Sequence, residues 1–121
     1  MRRLLVLSAV LAAVFAARSV RSEGDAVRQF SVANIEYKGS KLWIPGTLIV
    51  KAGETVKIKL VNSTPSGKHG YAIDAFGVKT EVANDGQPAS VEFKAAKAGL
   101  YPIYCQLHPA HIGGQLLVLE K

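Results

Sequence analysis

From Arg28 onward the apolar residues of this chain recur with a period of two, and no stretch carries the three-to-four spacing of an amphipathic helix. The clearest case is Thr55 to Asn62, where Val56, Ile58 and Leu60 alternate with Lys57, Lys59 and Val61. A strand of that kind has one face to bury and one to wet, so it needs a sheet covered on one side. Further strand patterns lie at Phe30, Val32 and Ile35, at Thr47 to Lys51 and at His69 to Ile73, while Leu42 to Ile44 is a short segment ended by Pro45-Gly46. Val78 to Val82, Ser90 to Lys94, Leu100 to Cys105 and Gln115 to Leu119 complete the set. Pro45-Gly46, Ala52-Gly53-Glu54, Asn84-Asp85-Gly86 and Lys97-Ala98-Gly99 are turn signals between them, and Ser63 to Lys68 is a polar loop. Seven or eight short strands in roughly 100 residues predict an all-β fold, a β-sandwich of Greek-key type.

The first 22 residues are a different kind of sequence. Arg2 and Arg3 precede an apolar or small run from Leu4 to Ala17, followed by Arg18, Ser19, Val20, Arg21 and Ser22. This is the layout of a secretory signal peptide, with a cut expected after Ala16 or after Ser22. The run of 14 residues is short of the ~20 needed to span a bilayer, so no membrane span is expected in the mature chain. The leader also explains the charge. The full chain of 121 residues has 15 Lys and Arg against 9 Asp and Glu, +6 overall, but Arg2, Arg3, Arg18 and Arg21 all fall in the leader. Cut after Ser22, the chain carries 11 basic and 9 acidic residues, +2, and a nucleic-acid partner loses its main support. Residues 23–121 then form one domain, exported to the periplasm or secreted.

There is one Cys in the chain, which excludes an internal disulfide framework and any Cys-only zinc or iron–sulfur site. That residue, Cys105, ends a predicted strand, and His108 and His111 follow it, each after two intervening residues. Gly113-Gly114 allows the loop to turn tightly before the last strand. The remaining His, His69, stands 36 residues before Cys105, just after the polar loop and at a strand start. All four donors can collect at one end of the sandwich, where loops meet. A lone Cys is most often a small buried hydrophobe and a lone His a surface or core residue. Here every His and the only Cys converge, and a metal site is the better reading. A thiolate with two imidazoles suits copper, with the fourth donor along an axis; zinc is the rival, since one Cys and three His could close a tetrahedron.

These residues resemble the cupredoxins, the small blue-copper family. The upstream His at a strand start and the Cys-x2-His-x2 loop before the final strand carry the likeness. The loop spacing is similar to that of amicyanin-type members, whose axial Met would fall on His111. Ile73 to Val78, Lys97-Ala98-Gly99 and Cys105 to Pro109 look like the corresponding segments of the nitrosocyanin-like members. The resemblance implies a copper ion held by Cys105, His69 and His108, with His111 axial or a third strong ligand. It departs from the nitrosocyanin pattern in having His69 where those proteins have a Glu, and in a shorter spacing between the loop histidines.

What the resemblance implies first is an exported one-electron carrier with redox partners in the cell envelope, and not an enzyme. The apolar rim of Pro109, Ala110 and Ile112 would dock the partner. The alternatives are a nitrosocyanin-like site that binds or converts a small molecule such as nitric oxide, and copper delivery in the periplasm. Trp43 and Tyr101 read as core aromatics. Glu36, Asp74 and Glu81 are placed to fix an imidazole through its second nitrogen, although solvated strand positions are the simpler expectation. No nucleophile, paired-carboxylate or phosphate-loop motif is present.

Overall fold

Thr55–Asn62 (β4), the strand with the clearest alternation, lies inside the main sheet of the computed structural model, which describes residues 26–65 and 67–121. The leader expected over residues 1–22 lies outside them. Val56, Ile58 and Leu60 are fully buried while Lys57 and Lys59 face solvent, as the alternation requires. Each such aliphatic side chain contributes about 1.5–3 kcal/mol by leaving water.

On one side β4 pairs in parallel with β1 (Val27–Tyr37), and on the other antiparallel with β7 (Ala89–Lys94). A hairpin through Lys38 and Gly39, both with positive φ (47° and 80°), adds β2 (Ser40–Ile44) to the outer edge of β1. Two left-handed residues give the turn twist that a tight hairpin needs. The second sheet runs β3 (Thr47–Lys51), β9 (Gly114–Leu119), β8 (Gly99–Ile103), with β3 and β9 parallel. A separate hairpin joins β5 (His69–Ile73) to β6 (Val78–Val82) across one 3-10 turn, Asp74–Phe76. The core between the layers is built from Val32, Leu48, Val50, Leu60, Tyr71 and Leu116 among others.

This is the β-sandwich the alternation predicts, with nine strands among the described residues instead of seven or eight. The extra one is β2, whose three-residue apolar core is extended by the hairpin. The strand expected over Leu100 to Cys105 ends earlier, at Ile103, and frees Cys105 for the loop. Among the described residues no helix is long and apolar enough to cross a membrane.

Two features of the packing fix the end of the sandwich where the donor-bearing loops meet. β5 is buried on both faces, and along its edge Ala72 exchanges backbone hydrogen bonds with Tyr104 at 2.9 and 3.1 Å. β5 is thereby held beside the end of β8. On the main sheet, the register sets Trp43 and Asn62 opposite Asn34 on its two neighbours, and all three are buried.

Candidate metal centre

His69 opens β5, and its place is set from below by Asn62. The Asn62 amide donates to the carbonyls of Gly67 and Val82, both at 2.9 Å, and its Oδ1 accepts from the backbone and hydroxyl of Thr64. The polar loop is therefore tied to the end of β4 and delivers His69 into the interior, where it is 1% exposed. Cys105 enters from the other direction, two residues past β8, and is buried as well. His108 lies further along the same loop and is exposed. One ligand atom from each of His69, Cys105 and His108 lies within 4.8 Å of the other two. Cys105 Sγ is 3.7 Å from His108 Nδ1, and the His69 and His108 rings stand 5.1 Å apart, tilted by 51°.

The surroundings of the sulfur suit a thiolate. The Gly70 N–H donates to Cys105 Sγ at 3.1 Å, and the Gly70 carbonyl accepts from Trp43 Nε1 at 2.9 Å. Trp43 in turn packs edge-on against Tyr71, with ring centroids 5.3 Å apart. Trp43, from the main sheet, thus holds the residue whose N–H faces the sulfur. Glycine at position 70 also leaves room for the Gln106 amide: a Cβ there would run into it, and that amide is anchored to the Thr80 carbonyl at 2.9 Å.

His111 comes to the same end of the sandwich, 5.3 Å from the His69 ring and 6.2 Å from Trp43. It stands outside the cluster of three. Its Nδ1 lies 3.0 Å from the Ile112 carbonyl, and its Nε2 lies 2.6 Å from Asn34 Nδ2. A carbonyl only accepts, so Nδ1 carries the ring proton and the Nε2 lone pair accepts from Asn34. Burial holds the His111 imidazole below the usual histidine range; the bond to Ile112 opposes this, and the charges of His108 and Lys41 reinforce it.

Asn34 is the residue that sequence reasoning misses. The pattern points to Phe30, Val32 and Ile35, yet strict alternation from Phe30 and Val32 puts Asn34 inward, and it is fully buried. A polar residue in phase with a buried face is the available clue. The carboxylates placed to fix an imidazole have other partners: Asp74 accepts from the Tyr104 hydroxyl at 2.7 Å, Glu36 lies near Lys41 and Glu81 near Lys68. Trp43 and Tyr101 sit in or against the core, as expected, and Trp43 also reaches the site through Gly70.

A buried thiol with an N–H aimed at its sulfur and two imidazoles within reach is the donor set for a trigonal copper ion. Known proteins share the fold. The chain superposes on auracyanin from Roseiflexus castenholzii with a TM-score of 0.62 at 17% identity, covering 77% of this chain and 98% of that one. Auracyanin A from Chloroflexus aurantiacus, a "blue" copper protein, gives 0.60 at 20% identity over 77% and 99%. A copper nitrite reductase from Nitrosomonas europaea gives 0.65 at 18% identity over 79% of this chain, which spans only 42% of that longer one. At these identities the likeness is one of fold. No curated protein matches the chain in sequence. A family model described as a cupredoxin-like domain does match, over residues 4–118. With His69, Cys105 and His108 positioned as a copper-binding site on that fold, the chain belongs to the cupredoxin-like family.

Proposed function

We propose that this protein is an exported one-electron carrier. The observation that carries the reading is the convergence of His69, Cys105 and His108 from two separate segments onto one point, with two donors buried and the third exposed. Bound there, copper supplies exchange of a single electron between its two oxidation states. The chain's part is to hold the donors still. His69 is fixed by the Asn62-tied loop, and Cys105 by the Gly70 N–H and the Ala72–Tyr104 bonds beside it. Few groups need to move when the charge changes, which is what fast transfer requires.

His108 gives the electron a route out, since its imidazole is exposed while Cys105 and His69 are not. Around it Leu107 and Ile112 are 37% and 49% exposed, beside Pro109 and Ala110. A redox protein with an apolar face of its own is the partner this rim suits. Export rests on the layout of residues 1–22, which also makes 23–121 the mature domain in a periplasmic or secreted setting.

The test is to add copper(II) to the mature protein and record optical and paramagnetic resonance spectra. A strong thiolate-to-copper band that disappears in Cys105→Ala is expected. Absence of the band in the wild type would sink the reading. A second reading, a site that binds a small molecule such as nitric oxide, draws on the engagement of the His111 lone pair by Asn34. Azide added to the copper-loaded protein separates the two: spectral shifts on addition favour the small-molecule site, and an inert spectrum favours the carrier.

A further inference from the structure

His111 has one lone pair to offer, and Asn34 has it. The two residues come from opposite layers: His111 from the loop before β9, Asn34 from the inner face of β1. Register holds Asn34 in place on both sides, paired with Trp43 on β2 and Asn62 on β4, and its own carbonyl accepts from the Ser63 N–H at 2.9 Å. The loop is held too. His111 N–H closes a turn on the His108 carbonyl at 3.0 Å, and Ile112 N–H bonds to the Lys41 carbonyl at 2.9 Å. The imidazole therefore sits between two fixed points, its Nδ1–H on Ile112 and its Nε2 on the amide of Asn34.

We propose that Asn34 is a positioning residue that sets the coordination number of the metal site, by holding the His111 Nε2 lone pair and so keeping a third imidazole from the copper. The inference rests on the copper reading above. With Asn34 in place, an ion bound there would have the two imidazoles of His69 and His108 and the Cys105 thiolate as strong donors. Without its amide, a buried imidazole with a bare lone pair stands 5.3 Å, ring to ring, from His69, and binding the metal would satisfy it. Asn34 itself does not touch the ion. Its effect passes through His111, and so the double variant is the deciding comparison.

Two measurements test it. In the metal-free wild type, nitrogen-15 chemical shifts of the His111 ring are expected to show Nδ1 protonated and Nε2 bare and hydrogen-bonded. A proton on Nε2 overturns the proposal without touching the copper reading, and this arm needs no variant to fold. In the copper(II)-loaded protein, Asn34→Leu is expected to move thiolate-to-copper intensity to the higher-energy band and widen the copper hyperfine splitting, the marks of a stronger fourth donor. Adding His111→Leu to that variant should restore the wild-type pattern. An Asn34→Leu spectrum identical to wild type, or a shift that persists in the double variant, overturns the role of Asn34. A wild type with no thiolate band overturns the copper reading itself.

Discussion

Asn62 uses its amide on the loop that leads to His69 and on the end of β6 beside it, so its loss should be felt strongly. In Asn62→Ala the carbonyls of Gly67 and Val82 lose the donor that satisfies them. A buried polar group left unpaired costs about 1–3 kcal/mol, so Asn62→Ala is expected to lower unfolding stability by about 3 kcal/mol. Asn62→Asp keeps the acceptor for Thr64 but loses both donated bonds, and should fall most of the way. Urea unfolding checks this, and a wild-type midpoint in Asn62→Ala would mean that Asn62 does not hold the loop. At this scale the ligands are legible in the sequence and their supports are not. Cys105, His108 and His69 stand out because their side chains are rare here and have a chemistry of their own. Asn34 and Asn62 are polar residues within strands; alternation turns Asn34 inward, but the sequence does not say that it meets His111 or that Asn62 ties a loop. His111 stands out for the same reason as the ligands, but its lone pair goes to a partner 77 residues away, which no spacing within the loop reveals.

At the scale of elements, the ligand loop is gripped where it returns to the sheet. Gly114 begins β9 opposite the turn between β2 and β3, and a Cβ on it would run into the Gly46 carbonyl, which accepts from the Gln115 N–H at 2.9 Å. Both parts of that contact are backbone, so neither can swing away. Gly114→Ala is expected to cost about 3 kcal/mol through the forced separation of β3 from β9. Gly70→Ala differs, because its Cβ would meet the end of the Gln106 side chain, which can move. That variant should fold with a smaller loss and show its effect in the copper spectrum, as Gln106 lets go of Thr80 and the loop after Cys105 shifts. Thermal unfolding of both variants beside the optical spectrum of Gly70→Ala tests the contrast; equal destabilisation would mean that Gln106 is as fixed as backbone. Among the elements, the strands with one wet face are legible from alternation, Thr55–Asn62 above all. β5 is covered on both faces and carries no period, so its existence is legible while its burial is not. The same holds for β2, which is a strand because a turn delivers it to β1 and not because its own sequence insists.

For the molecule as a whole, the site is made of a local part and a part that exists only in the fold. Cys105 and His108 are separated by two residues and can chelate an ion in the unfolded chain, whereas His69 reaches them only once β5 is docked beside β8. A ligand stabilises a protein by its preference for the folded over the unfolded state, and each tenfold of preference adds about 1.4 kcal/mol. For a domain of this size that is roughly 6–11 °C in melting temperature. Copper should therefore raise the melting temperature of the wild type steeply as its concentration rises. In His69→Ala, the Cys105–His108 pair still binds but binds both states, so the melting temperature should hardly respond to copper although binding remains measurable by the optical signal. Cys105→Ser should weaken binding and the thermal response together. The experiment is a set of melting curves with copper(I) under anaerobic conditions across three decades of free metal, run on the three proteins, with the optical signal read after reoxidation. If His69→Ala gains as much stability as the wild type, His69 adds nothing that depends on the fold, and the assembly of the site from two segments is not what links metal binding to folding.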